Sequence, residues 1–95
     1  MKGATRRPVV KVTANVPGAM RVDRGTAWGN PFIMHDESDR NKVCALYEKY
    51  ARWRLRAEPL WLEPLRKAKA LACWCAPRRC HAETLERLLR EKKSL

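Results

Sequence analysis

Val9, Val10 and Val12 form the first apolar run, in PVVKVTANV, and their β-branched side chains predict a short strand. Pro17-Gly18 is turn chemistry, and Ala19-Met20-Arg21-Val22 then returns as a second strand. The loop Arg24-Gly25-Thr26-Ala27-Trp28-Gly29-Asn30-Pro31-Phe32 follows. The acidic stretch Asp36-Glu37-Ser38-Asp39 after it supplies helix-capping groups. From Arg40 to Ala57, Val43, Leu46, Tyr47, Tyr50, Trp53 and Ala57 recur at helical spacing, within about 120° of one another on a wheel. Lys42, Lys49, Arg52 and Arg56 occupy the other side. Pro59 ends this helix, and Pro64 opens a short one through Lys69. The brief apolar run Ala70-Leu71-Ala72-Cys73-Trp74-Cys75-Ala76 suits a buried strand or a helix end. After Cys80, the stripe Ala82, Leu85, Leu88 and Leu89 predicts a last helix. This order of elements describes an α/β fold: a small compact single domain over residues 1–95, with a short sheet and about three helices, Rossmann-like at most in miniature.

Composition narrows the class. The chain has 95 residues, too few for a two-domain enzyme with a large cleft. Its 45% hydrophobic content and four Trp argue against a disordered basic tail. No apolar run approaches the roughly 20 residues of a membrane span, and the start MKGATRRPVVKV lacks a signal-peptide core. The expectation is a cytoplasmic protein without a membrane partner.

Charge adds a partner class. Lys+Arg number 21 against 10 Asp+Glu, for a net charge of +11. Clustered on one helix face, Lys42, Lys49, Arg52 and Arg56 are candidates for tracking nucleic-acid phosphates. The alternative is a solvated helix face. No zinc-finger, homeodomain or RNA-recognition signature accompanies them, so base reading is not expected.

The cysteines carry the candidate chemistry. Three of the four, Cys73, Cys75 and Cys80, lie within eight residues, too close together to staple distant segments of a secreted fold. Cys44 reads as a buried small hydrophobe. If the strand continues, Cys73 and Cys75 share a face and Trp74 turns to the core. Cys80 would then start the last helix, where free N–H groups and the helix dipole, with Arg78, Arg79 and His81, lower a thiol's pKa. This makes Cys80 the candidate nucleophile and His81 the candidate proton carrier, if the protein is an enzyme. Cys73, Cys75, Cys80 and His81 would also complete a zinc set, although the C-x-C-x4-C-H spacing is not that of a common knuckle. Plainly buried cysteines are the third reading, and the sequence leaves all three open.

The glycine-containing loop has two readings as well. Trp28 and Phe32 plug the core and Gly29-Asn30-Pro31 forms a turn. Alternatively Gly25 and Gly29 let backbone N–H groups approach an anion, Arg24 pairs with it and Trp28 offers a stacking face. His35 reads as a solvated loop residue.

Two segments together, Arg24 to Phe32 with its RG-x-x-WGNPF pattern and Leu71 to His81 with CWCAP-x-x-CH, resemble the domain of unknown function 4326 family of bacteria and bacteriophages. Here Ala82-Glu83 replaces that family's small-plus-Asp pair, so the acidic group is one methylene longer. The resemblance implies fold and site position rather than a reaction. The expected function is binding of a nucleotide or nucleic acid at a site built from Arg24, Gly25, Trp28, Gly29, Asn30, Cys73, Cys75 and Arg78. A thiol- or zinc-dependent enzyme acting on such a ligand is the first alternative. The second is a phage protein that modulates a host protein through Trp61 and the exposed helix face.

Overall fold

The computed structural model describes residues 7–76 and 78–92; Pro77, placed by the sequence in the turn before the last helix, lies outside the described residues. Three strands form one sheet: β1 (Val9–Lys11), β2 (Ala19–Arg21) and β3 (Ala70–Cys73), in the order β1-β3-β2. The last strand is therefore the central one. It pairs parallel with both neighbours, with Val9 opposite Leu71 on one side and Met20 opposite Leu71 on the other. All four β3 residues are buried, as expected of a strand covered on both faces.

The return predicted at Pro17-Gly18 does not pair β1 with β2. A 3-10 turn at Val12–Ala14 and left-handed backbone at Asn15 (φ 51°) and Gly18 (φ 82°) instead re-aim the chain. As a result β2 runs parallel to β1, one strand-width away. The Gly18 carbonyl accepts from the Lys69 N–H at 2.9 Å, guiding β3 into that gap.

Asp36 caps a 3-10 turn at Glu37–Asp39, its carboxylate accepting from the Ser38 N–H at 2.7 Å. This turn feeds α1 (Arg40–Ala57) directly. The buried face of α1 is Val43, Cys44, Tyr47 and Ala51, rotated from the predicted stripe: Leu46 and Ala57 are exposed and Trp53 is 59% exposed. The small side chains of Cys44 and Ala51 allow close packing that the larger Leu46 and Trp53 would block. A 3-10 turn at Glu63–Lys67 stands where the Pro64 helix was expected. Helix α2 (His81–Lys92) buries Ala82, Leu85, Leu88 and Leu89 as its stripe predicts. Arg52 and Arg87 of the two helices share the carboxylates of Glu48 and Glu91 where α1 meets α2.

The loop after β2 is locked to the core by a reciprocal bond between two tryptophans. Trp28 Nε1 donates to the Trp61 carbonyl at 2.8 Å, and Trp61 Nε1 donates to the Ala27 carbonyl at 3.2 Å. The buried Tyr47 hydroxyl donates to the Trp28 carbonyl at 2.7 Å. Trp61 is only 6% exposed, so it cannot serve as the host-protein contact considered above.

Gly29 is where this loop crosses its own start. A Cβ there would lie 2.6 Å from Arg24 Cα and 2.8 Å from the Asp23 carbonyl oxygen, both rigid backbone atoms. Gly29→Ala is therefore expected to cost about 1–3 kcal/mol by overpacking. For a chain this size each kcal/mol lowers Tm by about 4–8 °C. A Cβ at Gly25 meets only the Asp23 carboxylate, at an ordinary 3.7 Å. Thermal unfolding followed by circular dichroism should show a clear drop for Gly29→Ala and little change for Gly25→Ala.

Candidate functional site

Because β2 and β3 are parallel neighbours, both chains leave the sheet at the same edge. Beyond β2 the path is Val22-Asp23-Arg24, with the Val22 N–H held by the Ala72 carbonyl at 2.9 Å. Beyond β3 it is Trp74-Cys75. A cavity of about 210 Å³ opens between these two exits and the first turns of α1 and α2. Asp23, Arg24, Asn30 and Met34 border it from the first segment. Cys73, Trp74, Cys75, Arg79, Cys80 and His81 border it from the second. Arg40, Val43 and Cys44 of α1 close the remaining side. Asn30 and His81, fifty-one positions apart in the chain, thus share one cavity.

Of the loop residues singled out in the sequence, only Arg24 and Asn30 reach this cavity. The Arg24 guanidinium donates to the carbonyls of Asn30 and Phe32, and the Phe32 N–H donates to Asn30 Oδ1 at 2.8 Å, so this side chain also ties the loop together. Trp28 faces the core, where the bonds to Trp61 and Tyr47 hold it, and is not a stacking face for the cavity. Gly29 donates its N–H to the Thr26 carbonyl and not to an external anion. Neither Gly25 nor Gly29 lines the cavity. Exposed Arg78 turns to Glu37 at 3.3 Å, also outside the lining.

Trp74 corrects the strand reading. The strand ends at Cys73, so the alternation no longer applies one residue later, and Trp74 stands 53% exposed at the cavity rim instead of in the core. Its Nε1 donates to Asp23 Oδ2 at 2.8 Å, an oxygen that Arg21 also binds. Those donors, Arg21 foremost, hold the Asp23 carboxyl below its usual range. Asp23 is 5% exposed. The Gly25 N–H also acts on this carboxylate, so Asp23 is an ionised, buried group built into the cavity wall.

Three arginines share the cavity lining with Asp23. Arg40 binds Glu37, donates to the Arg79 carbonyl at 2.8 Å and reaches the Cys75 thiol. Arg79 donates to Asn41 Oδ1 at 2.9 Å, and Arg24 is held by carbonyls. Neither of these last two bonds neutralises a charge, so the site remains cationic. Sequence reasoning passed over Asp23 and Arg40, and used Arg79 only as an influence on the Cys80 thiol. The signal for Asp23 was available: it directly follows the second strand, and sites in parallel sheets lie beyond the strands' carboxyl ends.

The thiols reverse their predicted roles. Cys73 Sγ and Cys80 Sγ lie 2.8 Å apart, both buried. Cys73 also accepts from the backbone N–H groups of Ala76 and Cys75; these contacts, the Cys80 thiol first among them, hold its pKa below the usual thiol value. Cys80 gives its proton to that contact and is desolvated, which pushes its pKa well up. The Ala82 N–H at the start of α2 acts in the opposite direction but is outweighed. The contacts favour Cys73 as the more acidic thiol of the pair, because it collects two backbone N–H groups where Cys80 collects one. Burial raises Cys44.

His81 is buried, its Nε2 faces the Val22 carbonyl and the Tyr47 ring packs edge-on at 5.0 Å. Burial lowers its pKa, so the imidazole is neutral and Nε2–H is the donor. That nitrogen is committed to the fold, which counts against the proton-carrier role. The zinc quartet does not assemble either. Two thiolates on one tetrahedral zinc stand roughly 3.8 Å apart, given Zn–S bonds of about 2.3 Å, whereas these sulfurs touch. Among the described residues, no three His, Cys, Asp or Glu side chains form a metal-binding group.

A family model described as a domain of unknown function (DUF4326) matches residues 8–91. The chain belongs to that family. The match spans both segments that border the cavity, so the site of this DUF4326 domain lies within the matched region. No curated protein and no solved structure matches the chain. No helix among the described residues of the DUF4326 domain is long and apolar enough to cross a membrane.

Two measurements check the electrostatics. Iodoacetamide labelling read by peptide mass spectrometry should modify Cys73 at a lower pH than an ordinary thiol requires, and Cys44 last. Equal labelling of Cys80 at neutral pH would contradict the assignment. For His81, the unfolded chain binds a proton at the ordinary value while the folded one resists it, so stability falls as pH drops below about 6.5. His81→Gln, which keeps an N–H for the Val22 carbonyl, should flatten the fall in Tm between pH 6.5 and 5; an unchanged slope would assign that fall to other groups.

Proposed function

We propose that the cavity binds a phosphorylated nucleoside. One observation carries this reading: a cationic cavity beyond the carboxyl ends of two parallel strands, bordered by the start of α2 and by Arg24, Arg40 and Arg79. Parallel α/β sheets bind ligands at that edge. Helix N-termini and arginines are the usual partners of phosphate. The remaining groups suit the rest of such a ligand. Trp74 offers an exposed indole for a base to stack on. Asp23 borders the same cavity as a carboxylate, which favours a base amino group or a sugar hydroxyl over a second phosphate at that wall. The volume of about 210 Å³ is below the roughly 300–1,000 Å³ of sites that enclose drug-sized ligands. One mononucleotide moiety fits this reading better than a dinucleotide.

Tryptophan fluorescence titrated with nucleoside 5′-monophosphates, the matching nucleosides and inorganic phosphate provides the test. Saturable quenching is expected, strongest for the monophosphates. Arg79→Ala should weaken binding roughly 10- to 100-fold, the loss of one charge-assisted hydrogen bond of about 1.5–3 kcal/mol. Trp74→Ala should cost about 1–3 kcal/mol through lost stacking. No saturable response to any of the three ligand sets would end the proposal.

A nucleic-acid reading rests on a different surface. Lys42, Lys49 and Arg56 are exposed on the outer side of α1, while Arg52 is engaged by Glu48 and Glu91. These three cations favour weak, sequence-independent contact with phosphates. Replacing all three with Gln should reduce the slope of log K against log salt by ~0.9 per residue on duplex DNA. Arg52→Gln should leave that slope nearly unchanged.

A further inference from the structure

The contact between Cys73 and Cys80 is observed whatever the cavity binds, although both residues border that cavity. Each sulfur is placed by a different part of the fold. Cys73 is the last residue of the central strand, opposite Lys11 in the ladder. Cys80 immediately precedes α2, and its carbonyl accepts the Glu83 N–H at 3.1 Å in the first turn. The six residues between them leave the sheet and return, bringing the sulfurs to 2.8 Å. A disulfide is about 2.05 Å long, so less than an ångström separates this contact from a covalent bond. Cys73 and Cys80 both line the cavity, which brings a small reagent next to these otherwise buried residues. Cys75 lines the same cavity, but its thiol is engaged by Arg40 and its N–H supports Cys73. The charged neighbour on the α2 side is Glu83, whose influence on Cys73 is weaker than that of Cys80 or the two amides.

We propose that Cys73 and Cys80 are a dithiol–disulfide pair oxidised by hydroperoxides. The Cys73 thiolate attacks one peroxide oxygen; an S–O bond forms as the O–O bond breaks, and the departing oxygen takes a proton and leaves as water or an alcohol. Cys73 is then a sulfenic acid, oxidised by two electrons. Cys80 loses its proton and its sulfur attacks Cys73. The S–S bond forms as the S–O bond breaks, and the released hydroxide takes the Cys80 proton to leave as water. In sum, two thiols and one hydroperoxide give a disulfide, one alcohol or water, and one water. The pairing is specific because, among the described residues, Cys80 is the thiol in contact with the sulfur that is oxidised first. Backbone amides and a neighbouring thiol support the attacking sulfur as they do in reactive cysteines generally.

The experiment is exposure of the wild-type protein to equimolar hydrogen peroxide at neutral pH, followed by alkylation, digestion and mass spectrometry. The expected product is lighter by two hydrogens, reverts with a dithiol reductant, and yields a linked Cys73–Cys80 peptide with Cys44 and Cys75 alkylated. This map needs no variant to fold. Cys80→Ser should stop the reaction at a Cys73 sulfenic acid that dimedone traps, and Cys73→Ser should abolish both products. A link through Cys75 or Cys44, a disulfide between two chains, or four free thiols after treatment would overturn the proposal. Unchanged oxidation in Cys73→Ser would do the same.

Discussion

The parallel pairing of β3 with strands on both sides is the constraint on which the rest of the structure depends. A strand that enters last and lies in the middle must be small enough to be covered on both faces, and Ala70, Ala72 and Cys73 meet that requirement. Parallel pairing also decides where the chain leaves the sheet. The exits of β2 and β3 fall side by side, and the first turns of α1 and α2 close over them. Had β1 and β2 formed a hairpin, Asp23 and Trp74 would not have met. The bond between these residues, at 2.8 Å, joins the two halves of the site.

The loop between β2 and α1 divides its work by side. Its core-facing residues, Trp28 and Gly29, hold it: one through reciprocal indole bonds with Trp61, the other through a backbone approach that only a missing side chain permits. Its cavity-facing residues, Arg24 and Asn30, are then displayed on a wall that does not rely on a ligand for its shape. Rigid support of this kind lowers the ordering cost that binding must otherwise meet.

Helix α2 was legible in the sequence because its buried residues follow one unbroken period. For α1 the length was legible but the face was not. Leu46 and Trp53 are more hydrophobic than Cys44 and Ala51, yet the contact selects small residues where elements approach closely. Strand direction was hidden because Pro17-Gly18 signals a change of direction without specifying which; that depended on the left-handed backbone at Asn15. Trp74 was misplaced by one residue of extrapolated alternation. The roles of Cys73 and Cys80 could not be read from spacing, since ionisation there is set by which sulfur receives the amides and which donates the shared proton.

Placing Cys73 on the central strand also has a consequence for the time over which the site persists. Exchange of backbone amides for solvent deuterons ranges from fraying ends, which open at almost no cost, to central strands, which open only when the whole molecule unfolds. Leu71 and Ala72 belong to the second class, with partners on either side, and Cys73 follows them, paired with Lys11 on one side. The wall that carries Cys73 is therefore expected to have no low-energy route to local opening and to be lost in the same cooperative event that dissolves the domain.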